Sequence, residues 1–194
     1  LVPPGAKLSH GQIYDSIAPM LSAALQAAGV KKVETSRCQD DPEALYRAFS
    51  VCLGRSDIVL TVGGVSMGDY DHLGTVFERA GVEKVFWKVS QKPGKPLYFG
   101  RCGGKLVFGL PGNPAAALVC FSLYVLSTVR RFMGRAECAP CWLHGTLAEA
   151  VENREARVNY MRGDYILNDR GEYELRRAGG QVSYMLGSYA VSRA

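Results

Sequence analysis

Apolar and polar positions along this chain switch between two periods, and the switches mark its elements. Between residues 16 and 28, Met20, Leu21, Ala24, Leu25 and Ala28 recur at three- and four-residue spacing and line one helical face. Asp15 or Ser16 caps that helix, Pro19 falls in its first turn and Gly29 stops it. Val30 to Thr35 then predicts a strand. Asp41-Pro42 opens a second helix with Leu45, Phe49 and Cys52/Leu53 on its buried side. Ile58, Val59, Leu60 and Val62 make a short apolar run of the kind a buried parallel strand uses. A helix from His72 to Ala80 ends at Gly81, and Lys84 to Val89 reads as a strand. Pro96–Phe99 and Lys105–Leu110 predict a hairpin across Arg101-Cys102-Gly103-Gly104. The helix from Pro114 to Met133 is apolar nearly all round, hence buried. This alternation predicts an α/β fold: a three-layer, mostly parallel sheet domain with ligands at the carboxyl ends of its strands.

After Gly134 the period changes. Trp142–Leu147, Tyr160–Leu167 and Tyr173–Arg176 read as strands, with a hairpin turn at Asn168-Asp169-Arg170-Gly171. A boundary near Pro140 divides the chain into an α/β unit, 1–137, and a smaller β unit, 138–194.

Three segments carry chemistry. Residues 61–71, TVGGVSMGDYD, empty an apolar strand into a glycine- and hydroxyl-rich loop. Gly63, Gly64 and Gly68 suit a sharp turn or close backbone approach, Ser66 adds a hydroxyl, and Asp69 and Asp71 add charge. A strand, a glycine turn and a helix form an anion cradle, because free N–H groups at the helix start point at the ligand. Residues 92–96, KPGKP, hold Lys92 and Lys95 around a Pro-Gly turn, with Lys88 four residues earlier. Ammonium groups so clustered suit a ligand of several negative charges. Residues 109–114, GLPGNP, repeat the strand–turn–helix design, with Asn113 as N-cap and Pro114 as first helical residue.

GGVSMGDYD, KPGKP followed by Tyr98-Phe99-Gly100, and GLPGNPAAAL resemble the molybdopterin-binding domain of the MoeA/gephyrin molybdenum insertases. GQIYDS at residues 11–16 resembles the family's entry into its first helix. The likeness runs from about Leu1 to Arg135 and continues more weakly to the end of the chain. It implies a MogA-like molybdopterin-binding domain followed by a small, incomplete β-barrel domain. It also implies that this is an internal portion of a longer protein, with one more strand and two further domains before Leu1 and barrel strands after Ala194.

The implied activity is molybdopterin molybdenumtransferase: molybdate is inserted into adenylylated molybdopterin, with release of AMP and assistance from Mg2+. By resemblance, Ser66, Lys92 and Lys95 match an oxyanion pocket, and Lys88 lies on the same segment. Asp71 matches an acidic residue that positions metal or ligand. Pro111 and Pro114 match prolines of the loop beneath the pterin, and Gly63, Gly64, Gly68, Gly112 and Asn113 are implied as further substrate-binding residues. Arg157, Arg162 and Ser183 match anion-contacting positions of the barrel. A homodimer is implied, with molybdopterin adenylyltransferase and molybdoenzymes as partners. Two residues depart from the pattern: Ile17 stands where Asn is usual, and Ala116 where Ser is often found. Other classes with the same domain are the molybdopterin adenylyltransferase, the competence-damage-related pyrophosphatase and a gephyrin-like scaffold. KPGKP and the β unit argue against the first two, and no peptide groove argues for the third.

Composition narrows the picture a little further. The 194 residues suffice for one ordinary domain plus a smaller unit. A net charge of +5 suits a phosphorylated small molecule, and no basic run or basic–aromatic stripe argues for nucleic acid. No apolar run of membrane-spanning length and no signal-peptide pattern is read, so a cytoplasmic protein away from membranes is expected. The six cysteines are scattered, which suits a reducing compartment. Cys138-Ala-Pro-Cys141 with His144 lacks a second ligand pair and is read as metal-free.

Overall fold

A computed structural model describes residues 1–65 and 72–179. In chain order the elements are α1 (Ile17–Ala27), α2 (Pro42–Arg55), β1 (Ile58–Val62), α3 (Leu73–Arg79), β2 (Glu83–Trp87), β3 (Gln91–Lys92), β4 (Tyr98–Cys102) and β5 (Lys105–Leu110). These are followed by α4 (Pro114–Cys120), a π-helical turn (Phe121–Val125), α5 (Leu126–Phe132), β6 (Thr146–Leu147), β7 (Val158–Asn159), β8 (Gly163–Leu167) and β9 (Tyr173–Arg177).

The central sheet runs β1-β5-β4-β2. β1 and β5 are parallel, Ile58 opposite Leu106 through Val62 opposite Leu110. β4 pairs antiparallel with both β5 and β2. The α/β class stands, and the described sheet is mixed, because the predicted 96–110 hairpin forces its two strands antiparallel. The predicted strand Val30–Thr35 carries no ladder. Its pattern is strand-like, but a strand exists only where a neighbour accepts its backbone bonds, and none does among the described residues.

Alternation along the strands sends side chains to two cores. Phe108 and Leu110 pack with Leu97, Ile17, Leu21, Ala117, Cys120, Phe121, Val125 and Val129 on one face. Val59, Val107 and Tyr98 pack with Phe49, Leu53, Val76 and Phe77 on the other. Helices α1, α4 and α5 thus cover one side and α2 and α3 the other, giving the three layers expected. Phe77 joins Phe49 and Tyr98, with ring centroids 5.0 and 4.6 Å away.

The caps explain the helix starts. Asp15 Oδ1 accepts from the N–H groups of Ile17 and Ala18, both at 3.1 Å, so Asp15 rather than Ser16 caps α1. Asp41 accepts from Ala44 N–H at 2.8 Å. Ile17 is 5% exposed within the first core, so the residue that departs from the family pattern is a packing residue. Pro114–Phe132 is 19 residues long and apolar enough to cross a membrane, against the expectation that no such run exists. Five of its side chains lie in the core just described, as in a buried helix.

Beyond α5, β8 and β9 form the predicted hairpin, closed by Gly171 N–H to the Asn168 carbonyl at 2.9 Å, and β6 adds parallel to β9. The Trp142–Leu147 strand shrinks to β6. β7 pairs instead with β3, which hydrogen-bonds the later segment to the KPGKP turn.

Candidate functional site

Because β1 and β5 are parallel neighbours, their carboxyl ends lie side by side, and so do the two glycine turns that follow them. Gly63 N–H donates to the Leu110 carbonyl at 3.0 Å. Gly63 and Gly64 have φ of 79° and 62°, where L side chains are strained. A Cβ on Gly112 would stand 3.3 Å from Gly63 Cα, so the turns meet backbone to backbone. One on Gly109 would strike Val65 Cγ1 at 2.5 Å. Pro111 is buried, Asn113 and Pro114 are half-buried, and Gly112 is exposed. Asn113 Oδ1 accepts from Ala116 N–H at 3.1 Å, so the GLPGNP turn ends in the helix start its sequence predicts.

The KPGKP turn packs against that same helix. Gly94 has φ +96°, and a Cβ there would stand 2.5 Å from Cys120 Sγ and 2.8 Å from Gln91 Nε2. Gln91 is 2% exposed. Its Nε2 donates to the Pro93 carbonyl at 2.9 Å, and its Oε1 accepts from Tyr124 of the π-helical turn. Cys120 Sγ lies 3.6 Å from the Gly94 carbonyl, and burial pushes its thiol up to about 12. Burial likewise raises the Tyr124 phenol. The Lys92–Pro93 peptide is cis.

Lys88 takes φ 71°, uncommon for a side-chain-bearing residue. Its Nζ lies 4.0 Å over the Trp87 ring, a cation–π contact. The Trp87 indole N–H donates to the Val65 carbonyl at 3.1 Å, tying the segment before KPGKP to the first glycine loop.

The later segment supplies charge. Val158 N–H donates to the Ser90 carbonyl at 3.1 Å and Tyr160 N–H to the Lys92 carbonyl at 2.7 Å. Lys92 Nζ pairs with Glu155, which also pairs with Arg157. The bonds from Lys92 first, then Arg157, hold the Glu155 carboxyl below its usual range. Arg162 is 5% exposed, and its carbonyl accepts from Ala178 N–H at 3.0 Å. Lys95 is exposed.

The structure therefore brings together Gly63, Gly64, Pro111, Gly112, Asn113 and Pro114, and places Lys88, Lys92 and Arg157 around the adjoining KPGKP turn. Ser66, Gly68, Asp71 and Ser183 lie outside the described residues. Among the described residues no group of three or more His, Cys, Asp or Glu could hold a metal ion. Gln91, Trp87, Tyr124 and Glu155 escaped the sequence reading. Gln91 is a lone polar residue beside a motif, and Glu155 sits in a mixed-charge run whose partner is 63 positions away.

Paired glycine turns at the carboxyl ends of neighbouring parallel strands lie where open α/β sheets place their ligand sites. Residues 2–131 match the family described as "Probable molybdopterin binding domain", and the chain belongs to that family. It is 31% identical over 193 residues to a molybdopterin molybdenumtransferase of Haemophilus influenzae, covering 99% of this chain and 48% of the relative. It is 34% identical over 180 residues to a protein of that name from Nostoc, covering 91% and 41%. The chain thus spans about half, or less, of the length of these curated relatives. Among solved structures, a MoeA molybdopterin biosynthesis protein from Pyrococcus horikoshii matches with a TM-score of 0.76 and 27% identity, covering 98% of this chain and 45% of that one. A CinA protein of Thermoplasma acidophilum, at TM-score 0.51 and 19% identity over 57% of this chain and 85% of that one, shares the fold alone.

Proposed function

We propose that this chain is part of a molybdopterin molybdenumtransferase that inserts molybdate into adenylylated molybdopterin and releases AMP. The observation that carries the reading is the convergence of three segments. The Gly63 turn touches the Gly112 turn, and Gly94 of KPGKP seats on the helix that GLPGNP begins. Pyrophosphate, phosphate and molybdate are all oxyanions, so one cationic, N–H-rich corner suits each of them. In this reading the Gly63-Gly64 and Pro111–Pro114 turns support the pterin and its phosphates. Lys88, Lys92, Lys95, Arg157 and Arg162 hold and polarise the oxyanions by charge rather than by proton transfer. Ser66, Gly68, Asp71 and Ser183 are further candidates by sequence resemblance alone.

Mg2+ would supply charge neutralisation between phosphates, with Asp71 as its candidate ligand. Residues 1–137 act as the molybdopterin-binding unit, followed by a smaller barrel-like unit at 138–194. A cytoplasmic homodimer that receives substrate from molybdopterin adenylyltransferase and delivers product to molybdoenzymes fits the same reading. The names of the relatives favour it over the adenylyltransferase and the scaffold.

Titration calorimetry with molybdate and with AMP tests the pocket. Lys92→Ala or Lys95→Ala should each lose roughly 1.5–3 kcal/mol of binding, as expected for a charge-assisted bond. Lys32→Ala should lose little, since the Lys32 side chain is 80% exposed and pairs with Glu34 at the surface. Equal losses at Lys32 and Lys92 refute the assignment.

A further inference from the structure

Lys92 and Arg157 come from segments 65 positions apart, yet both are engaged by one carboxylate. Glu155 Oε1 meets Lys92 Nζ at 2.5 Å, and Glu155 Oε2 meets the guanidinium of Arg157. Two oxygens, one on an ammonium and one on a guanidinium fork, are the arrangement two oxygens of a tetrahedral oxyanion would adopt on the same cations.

The cations do not need Glu155 to stay close. The β3–β7 ladder fixes the backbone of Lys92 and anchors Val158, the residue after Arg157, through Val158 N–H to Ser90 and Tyr160 N–H to Lys92, and the Arg157 carbonyl also accepts from Asn153 Nδ2 at 3.1 Å. Glu155 itself lies in residues 148–157, a stretch without helix or strand. Its nearest support is a long, 3.4 Å bond from its N–H to Asn153 Oδ1. A side chain so placed can swing out while the cradle persists.

We propose that Glu155 is a built-in counter-ion that occupies the Lys92–Arg157 anion cradle and must be displaced by the ligand. This rests on the oxyanion reading of the pocket given above. A monoanion replacing Glu155 exchanges one single charge for another and gains little. A dianion such as molybdate brings a second charge to the same two cations, so displacement favours it. Glu155 thereby sets a charge threshold for entry and keeps monoanions out.

The test compares the full chain with Glu155→Gln, and with Glu152→Gln as control. Glu152 belongs to the same stretch and pairs with Arg154, so the control removes the same charge without touching Lys92. Calorimetry with sodium molybdate and with sodium nitrate reads the cradle, and the acetylation rate of Lys92, by peptide mass mapping, reads the ion pair without any ligand. Glu155→Gln should tighten molybdate about three- to tenfold, from the loss of two partly exposed competing pairs. It should also admit nitrate and speed Lys92 acetylation, while Glu152→Gln does none of these.

Unchanged Lys92 acetylation overturns the counter-ion, whatever the ligands do. Faster acetylation with unchanged or weaker molybdate binding also overturns it, since Glu155 would then only support the site. Faster acetylation with neither protein binding molybdate or AMP leaves the ion pair standing. That result overturns the oxyanion pocket, and with it the cradle.

Discussion

Replacing Gly94 with Ala probes the seat of the KPGKP turn on its helix. The backbone there has φ +96°, and the new methyl group would lie 2.5 Å from Cys120 Sγ and 2.8 Å from Gln91 Nε2. Neither neighbour has room to retreat: Cys120 is fully buried on α4, and Tyr124 holds Gln91 from the other side. Left-handed backbone costs about 1–2 kcal/mol for an L side chain. Overpacking a tight contact adds about 1–3 kcal/mol. The stiffer unfolded chain returns roughly 0.4–1 kcal/mol. The net loss should be about 3 kcal/mol, a large share of the roughly 5–15 kcal/mol that holds a domain together. Gly103→Ala is the control, because Gly103 has φ +58° and open space where its Cβ would go. It bears the backbone cost alone, about 1 kcal/mol. Urea unfolding of both variants, and of Gly94→Ala combined with Cys120→Ala, separates the terms. Removing the sulfur should recover about 1–2 kcal/mol of the Gly94→Ala loss, the overpacking part. A Gly94→Ala cost no greater than that of Gly103→Ala, or no coupling to Cys120, would refute the packing argument.

Three further outcomes follow from the same geometry. With its thiol raised to about 12 by burial, Cys120 should resist a disulfide reagent at pH 8 while exposed Cys38 and Cys141 react, as peptide mapping will show; equal rates would contradict the buried seat. Trp87→Phe removes the 3.1 Å bond to the Val65 carbonyl and should cost roughly 0.5–1.5 kcal/mol in urea unfolding, with faster amide exchange at Gly63. The Glu155 carboxyl is depressed below 4.5 by Lys92 and Arg157, so its pairing is present above pH 4.5 and is lost as pH falls through the lower folded value. Carboxyl carbon NMR should show that midpoint rise toward 4.5 in Lys92→Ala.

Local signals carried much of the fold. The Asp41 and Asn113 caps, the β1 run, the 98–110 hairpin and the Asn168–Gly171 turn all form where the sequence places them, because each depends on residues within a few positions. Val30–Thr35 failed as a strand for the opposite reason: its pattern is local, but its ladder requires a distant partner. The parallel sheet became mixed because strand order is not encoded in any single period.

The candidate site divides along the same line. KPGKP and GLPGNP are legible as tight turns because glycine and proline at those spacings restrict the backbone locally, and KPGKP places two lysines beside its turn. That Gly63 touches Gly112, that Gly94 needs the space beside Cys120, and that Gln91 is buried to hold the turn are decided by packing between segments tens of residues apart. The same holds for Glu155 between Lys92 and Arg157, set by the two-residue β3–β7 ladder. Sequence alone determined where the glycine and proline turns fall and that lysines flank one of them, since those are properties of short backbone stretches. Only the tertiary structure decided which of them meet and which carboxylate lies between Lys92 and Arg157, since close approach depends on how the whole chain packs.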